Sequence, residues 1–307
     1  MHRKGEFAIR YLILVTTIVA VAAISGMVPA AAQKAFPSPA AAVKALQGAL
    51  EAKDAAALRA IFGPQMDALR YADPNDDVLV MESFAKAIGQ MCNPVFRTGD
   101  IAVLHVGAEN YPFPIPLVYN NGCWRFDTAA GLEEILARRI GASELAAIET
   151  CQTYRLAQME YAQADCSGGG KCAYAQRFTS DMSARKGLDL QSAITVVSVT
   201  SDVTPTSTYP VSTAGDTFSD QGYVFKILRG QGPAAAGGRR SYVVDGDMVG
   251  GFALAAYPVW YGVSGLTSFL LGPDGRVYER CLGAATPRWG ATVTEFNPEA
   301  GWKMVEE

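Results

Sequence analysis

The sequence predicts an α+β fold in two parts: an N-terminal helix-plus-curved-sheet domain, then a long helix packed on an antiparallel sheet. Three observations predict it. Apolar residues recur at helical spacing over residues 38–91 and again over 143–165. The spacing switches to alternation at Ile101. The last third holds strand-forming runs punctuated by the hairpin pairs Asp245-Gly246 and Asp274-Gly275.

The elements follow in order. Residues 33–36 read as a short tether. Ser38-Pro39 starts a helix, with serine at the N-cap and proline at the first helical position. Val43, Leu46 and Leu50 mark its apolar face. Asp54 caps a second helix carrying Leu58 and Ile61, and Gly63-Pro64 ends it. Asp73-Pro74-Asn75-Asp76 opens a third, with Val80, Phe84, Ile88 and Met91 along one side until Asn93-Pro94. Ile101, Val103 and His105 alternate as a strand. Pro112, Pro114 and Pro116 remove every second backbone donor, so that stretch is an edge strand or an extended loop. Residues 118–126, centred on Asn120-Asn121-Gly122, read as a hairpin.

Residues 131–139 are expected as a short helix interrupted at Gly141. Ser143 then caps a long helix to about Asp165, with Glu144 placed to suit the helix dipole. Leu145, Ile148, Cys151, Leu156 and Met159, with Tyr154 and Tyr161, form its expected stripe. Residues 188–220 read as loop with an irregular strand. Five strands are expected at 223–228, 242–244, 251–257, 267–271 and 276–281. The resulting divisions are a signal peptide (1–32), an N-terminal domain (36–130), a connector (131–142), a C-terminal domain (143–290) and a tail (291–307).

Across 307 residues, 50% are hydrophobic and 18% charged, which supports packed cores and excludes a disordered chain. The first 32 residues form an export signal. Arg3, Lys4 and Arg10 precede the apolar run from residue 11 to 28. Pro29 breaks the run, and Ala30-Ala31-Ala32 supplies a small-residue cleavage site. The competing reading is an uncleaved inner-membrane anchor, since 18 apolar residues can just span a bilayer. Loss of that segment removes three cations and one anion (Glu6), taking the net charge from −4 to −6. That mild acidity, with no local Lys/Arg cluster, excludes nucleic acid as a partner. The expected location is periplasmic or secreted, with membrane contact only through an uncleaved signal.

Six cysteines follow the signal, an even number in an oxidising compartment, so disulfides are expected. The glycines of Cys166-Ser-Gly-Gly-Gly-Lys-Cys172 let that loop close on itself. Cys92–Cys123 and Cys151–Cys281 are the further expected pairs. Zinc is not expected, because CxxC is absent and His105 is the sole histidine after the signal. Gly168-Gly169-Gly170-Lys171 lacks phosphate-loop spacing and follows a helix, and no cofactor is expected.

Four strings carry a family resemblance: "YPFPIPLVYNNGCWRFD" from Tyr111, "WRFDTAAGLEEILARRIGASELAAI" from Trp124, "GYVFKILRGQGPAA" from Gly222 and "VGGFALAAYPVWYGVSGLTSFLLGPDGRVYER" from Val249. They closely resemble the bacterial DUF2950 family, over about residues 35–302. The resemblance implies an exported protein of unknown function and transfers no site residues. The chain departs from the family pattern after the long helix. An Asp/Gly-rich loop is there replaced by the Cys166–Cys172 segment, which lacks the oxygen ligands calcium needs. Residues 143–283 are also similar in outline to pilin-like globular domains.

Two clusters are candidate ligand sites. Arg125, Asp127, Glu134 and Arg139 could line a polar cleft where the domains meet. The alternative is a salt-bridged helix connector, with Glu133 and Glu134 near Arg138. Tyr257, Trp260 and Tyr261 could form an aromatic platform for a sugar or peptide, or a lid over the sheet. No catalytic set is identified, and His105 reads as an ordinary strand histidine. The expected function is therefore a non-enzymatic envelope module binding a protein, peptide or glycan. The alternatives are a hydrolase of envelope polymers using carboxylates among Asp127, Glu133, Glu134, Glu144 and Glu160, or an accessory partner of a secretion or pilus system.

Overall fold

A computed structural model describes residues 33–69, 74–179, 187–190, 194 and 212–306. The signal segment and most of 188–211 lie outside the described residues. The fold is α+β, with antiparallel sheets, and the chain divides into two compact units, Met1–Arg138 and Arg139–Glu307.

The first unit opens with α1 (Pro39–Glu51), where the Ser38 hydroxyl accepts from Ala41 N at 3.2 Å as the N-cap. Asp54 does the same for α2 (Ala55–Phe62), its Oδ1 taking Ala57 N at 2.9 Å. A 3-10 turn (Pro64–Leu69) leads towards α3 (Pro74–Gln90). Along α3, Ile88 is buried but Val80 is exposed, so the expected apolar side is only partly used.

A strand that the sequence reading missed follows at once: β1 (Cys92–Thr98). From sequence, Asn93-Pro94 reads as the stop of the helix. On β1, however, Pro94 stands in an edge strand, where a missing donor is tolerated. Next come β2 (Ile101–Val106), β3 (Tyr111–Pro112), β4 (Leu117–Asn120) and β5 (Cys123–Phe126). The order is β1-β2-β4-β5, with β3 on β2, all antiparallel. Asn121 and Gly122 take positive φ of 52° and 80° between β4 and β5, the two-residue turn their sequence predicts. Along β2, Ala102, Leu104 and Val106 face the helices, while Ile101, Val103 and His105 face away.

Leu46, Leu58, Ile61, Ile88, Leu104, Leu117 and Phe126 meet in one core. Each fully buried aliphatic side chain there stabilises by about 1.5–3 kcal/mol. The rings of Phe96 on β1 and Trp124 on β5 lie 5.8 Å apart although two strands intervene, so the sheet curls. The expected tether is built in: Phe36 is buried and exchanges backbone hydrogen bonds with Trp124 at 2.8 and 2.9 Å.

One helix replaces the expected pair. α4 (Thr128–Ser167) runs unbroken for 40 residues, through Gly141 and Ser143. A glycine in a helix costs about 1 kcal/mol, too little to break one without proline or a cap. Ser143 is buried inside the helix, and Asp127 is the residue that starts it.

The second unit packs α4 on a seven-stranded sheet: β6 (Ser212–Ala214), β7 (Thr217–Asp220), β8 (Tyr223–Leu228), β9 (Ala253–Pro258), β10 (Thr267–Leu271), β11 (Val277–Cys281) and β12 (Lys303–Met304). They lie side by side in chain order, an antiparallel meander. Between β8 and β9 the chain makes two short ladders, Gly230–Gln231 with Arg240–Ser241 and Val243–Val244 with Asp247–Met248.

Ala147, Cys151 and Tyr154 of α4 join Phe218, Phe225, Leu254 and Phe269 in the second core. Leu145, Leu156 and Met159, expected in the same stripe, are exposed. They sit off the 151/154/158 line, where Gln158 is fully buried and its amide bonds Tyr154 Oη and Ala175 O, both at 2.8 Å.

The opposite sheet face is covered too. Helix α5 (Thr286–Thr292) places Gly290 directly on the Tyr257 ring, where any Cβ would collide. Phe296 is buried against Tyr278 at 5.7 Å, and Trp302 packs on Trp289 at 5.5 Å. Residues 291–306, read from sequence as a tail, thus supply a cover and an edge strand.

Candidate functional site

Of the expected disulfides, Cys166–Cys172 is formed, closing the loop at the end of α4. The other four cysteines are thiols. Cys92 and Cys123 stand on opposite edge strands. Cys92 pairs with Val106, whereas Cys123 lies two residues before Arg125, in the Ile101–Val118–Arg125 row. The offset is seven residues along the strands, roughly 23 Å at strand rise. Cys281 is exposed and pairs with Thr267, whose N–H donates to Glu144. Cys151 sits seven residues further along α4, about 10 Å, and faces the core. Burial pushes the Cys151 thiol up to about 12 and that of Cys92 up to about 11.

The first unit has a cleft of about 200 Å³ at the β5 edge, lined by Gln33, Gln65, Asn120, Arg125, Asp127 and Thr128 among others. Two expected site residues, Arg125 and Asp127, therefore come together. Asp127 is committed to the start of α4: Oδ1 accepts from Ala130 N and its carbonyl from Gly131 N, each at 3.0 Å. Gln33 is structural, its amide donating to Ile61 O at 2.8 Å and Phe126 O at 2.7 Å. Arg125 differs. It is half-buried on the outer face of β5, and no described residue bonds or ion-pairs with its guanidinium.

Glu134 is not part of this cleft. It pairs with Arg138 at 2.7 Å, four residues on, and Arg138 also donates to Tyr111 Oη and Pro112 O. That is the salt-bridged helix reading. Arg139 opens the second unit and is exposed. Glu133 and Glu160 are exposed as well. Glu144 is buried, and its Oε1 accepts from the N–H groups of Leu266 and Thr267 at 2.8 and 3.0 Å. The five carboxylates considered for acid–base work are thus each capped, paired, anchored or solvated. His105 lies on the outer sheet face, its Nε2 buried without a hydrogen-bond partner among the described residues.

Tyr257, Trp260 and Tyr261 have separate surroundings. Tyr257 is held under α5, edge-on to Trp289 at 6.1 Å, and burial raises its phenol above the usual value. Trp260 is 56% exposed in the turn after β9. Tyr261 Oη lies 3.7 Å from Cys281 Sγ.

A second cleft, also about 200 Å³, was missed. Trp289, Trp302, Leu270, Leu282 and Val293 give it apolar walls, and Arg280, Glu295, Asn297 and Glu299 a polar rim. Five of these nine residues lie in the segment that reads from sequence as a tail. The signal that could have found them is the density of aromatics there: Trp289, Phe296 and Trp302 within 14 residues. Among the described residues, no three His, Cys, Asp or Glu side chains gather to hold a metal ion. No described helix is long and apolar enough to cross a membrane.

The sequence pattern of a family described as a protein of unknown function, DUF2950, matches residues 33–305. The chain belongs to the DUF2950 family. No curated protein and no solved structure matches it. The matched span of this DUF2950 chain contains every residue of both clefts.

Proposed function

We propose that this DUF2950 protein is an exported, non-enzymatic binding module of the periplasm or cell surface. In this reading Arg125 receives an anionic group of an envelope protein, peptide or glycan. The observation that carries it is half-buried Arg125, its guanidinium unpaired among the described residues, in a small cleft lined largely by polar side chains. A guanidinium presents parallel N–H groups that match a carboxylate in two-point geometry. Gln65 and Asn120 add amide groups beside it. Export is supported by the family match beginning at residue 33, just after the expected cleavage at Ala32, and by a disulfide that suits an oxidising compartment.

The test is calorimetric titration of residues 33–307 with short acidic peptides and uronate-containing oligosaccharides. Binding should weaken roughly tenfold or more in Arg125→Ala, as expected for loss of a charge-assisted pair. Robust turnover of an envelope polymer that disappears in Glu134→Gln or His105→Ala would sink the proposal.

A further inference from the structure

We infer that the second unit carries a site for an uncharged sugar ring in the cleft walled by Trp289 and Trp302. This site is separate from Arg125 and does not depend on the anion reading.

The two indoles make a fixed, angled apolar wall. Trp289 is set by α5, whose Gly290 rests on Tyr257, and by the edge-on Tyr257 ring at 87°. Trp302 is set by its N–H bond to Glu299 O at 3.1 Å and by Val305 N donating to Val277 O at 2.9 Å. The rings stand 5.5 Å apart at 43°. Gly301, with φ of 99°, makes the turn possible, and a Cβ there would meet the Arg280 guanidinium at 3.3 Å.

The rim is equally pre-set. Asn297 Oδ1 accepts from Ala234 N at 2.9 Å, while its Nδ2 donates to Glu299 Oε1 at 2.7 Å. Arg280 Nη1 donates to Ala300 O at 3.3 Å, which leaves further guanidinium N–H groups to offer. Glu295 is held 3.5 Å from Arg239, and Glu299 keeps a second oxygen. Donors and acceptors therefore surround one apolar wall.

A ligand that satisfies both must have a C–H face for the indoles and a hydroxyl edge that donates and accepts. A pyranose ring has that shape and chemistry. A wholly apolar ligand would desolvate three charged groups without repayment. An anion would meet two carboxylates, and a cation would meet Arg280. The volume of about 200 Å³ is below that of drug-sized pockets, so one ring enters rather than a chain segment.

The experiment is titration of residues 33–307 with glucose, N-acetylglucosamine and its short oligomers, followed by tryptophan fluorescence and saturation-transfer NMR. A saturable millimolar response is expected, weakened roughly tenfold or more in Trp302→Ala through loss of the stacking face. Because Trp302 also packs beside the edge strand, exposed Glu299→Gln is the second arm: it should weaken binding several-fold with an unchanged melting temperature. The inference is overturned if no saccharide binds the folded chain, if both variants bind as wild type does, or if tetramethylammonium binds while sugars do not. Arg125→Ala should leave sugar binding unchanged, so the two sites fail separately.

Discussion

The two sheets use the same antiparallel pairing but spend their faces differently. In the first unit, one face meets α1, α2 and α3, and β2 shows it by strict alternation of buried and half-exposed residues. In the second unit both faces are covered at its central strands β9 and β10. Every residue of β10 is buried, the polar Thr267 and Ser268 included. A one-faced sheet tolerates change on its open side. A two-faced sheet must satisfy or bury everything it carries, and its polar residues become structural liabilities or anchors.

The largest expected effect breaks this comparison most directly. Phe269→Ala empties the centre of the two-faced sheet and should cost about 3–5 kcal/mol, measured by chemical denaturation. Val103→Ala, on the open face of β2, should cost about 1 kcal/mol or less. Equal losses would mean the open face is covered.

Next in size is Glu144→Ala. It strands the Leu266 and Thr267 N–H groups at the start of β10 and should cost about 1–3 kcal/mol for each left unsatisfied. Glu144→Gln, which keeps an acceptor, should recover part of the loss. Ser268→Ala should go the other way. The hydroxyl is fully buried with no partner among the described residues, so its removal should stabilise by up to about 1 kcal/mol. A clear destabilisation would reveal an unseen partner for that oxygen.

The smallest effect is a pH dependence. Burial holds the Asp220 carboxyl above the usual carboxylate range, partly offset by a hydrogen bond from the Gln221 backbone. The folded state therefore binds that proton more tightly than the unfolded one. Its contribution is complete below the unfolded carboxylate value and is lost as pH rises through the raised one. Asp220→Asn should flatten this fall in a pH series of melting temperatures.

Local chemistry made much of this fold legible in advance. The caps at Ser38 and Asp54, the Asn121-Gly122 turn and the strand period of β2 are signals carried by residues adjacent in sequence, and the structure has all of them, although it is Ala102, Leu104 and Val106 that are buried while Ile101, Val103 and His105 face away. What failed depended on distant partners. Pro94 breaks a helix but is harmless on an edge strand. Gly141 looks like an interruption until packing on both sides of it outweighs about 1 kcal/mol of propensity. Cys166–Cys172 was legible because its loop is local, whereas the Cys92–Cys123 and Cys151–Cys281 pairings failed because long-range connectivity depends on which strands become edges, and spacing does not encode that. That Arg125 and Asp127 line one cleft was legible because they lie two residues apart at the end of β5. The Trp289–Trp302 cleft was not, because its residues serve a sheet face whose existence only the tertiary fold reveals.

The cover formed by residues 286–304 also sets an order of events as the chain folds from its N-terminal end. The first unit has all its described strands by residue 126, so it can close before the rest of the chain emerges. The second cannot. Its meander stands with one greasy side bare until Phe296, Trp302 and the strand at Lys303–Met304 arrive. A chain stopped near residue 290 would carry a finished front half and an adhesive back half, ready to be held by a chaperone or cut by a protease.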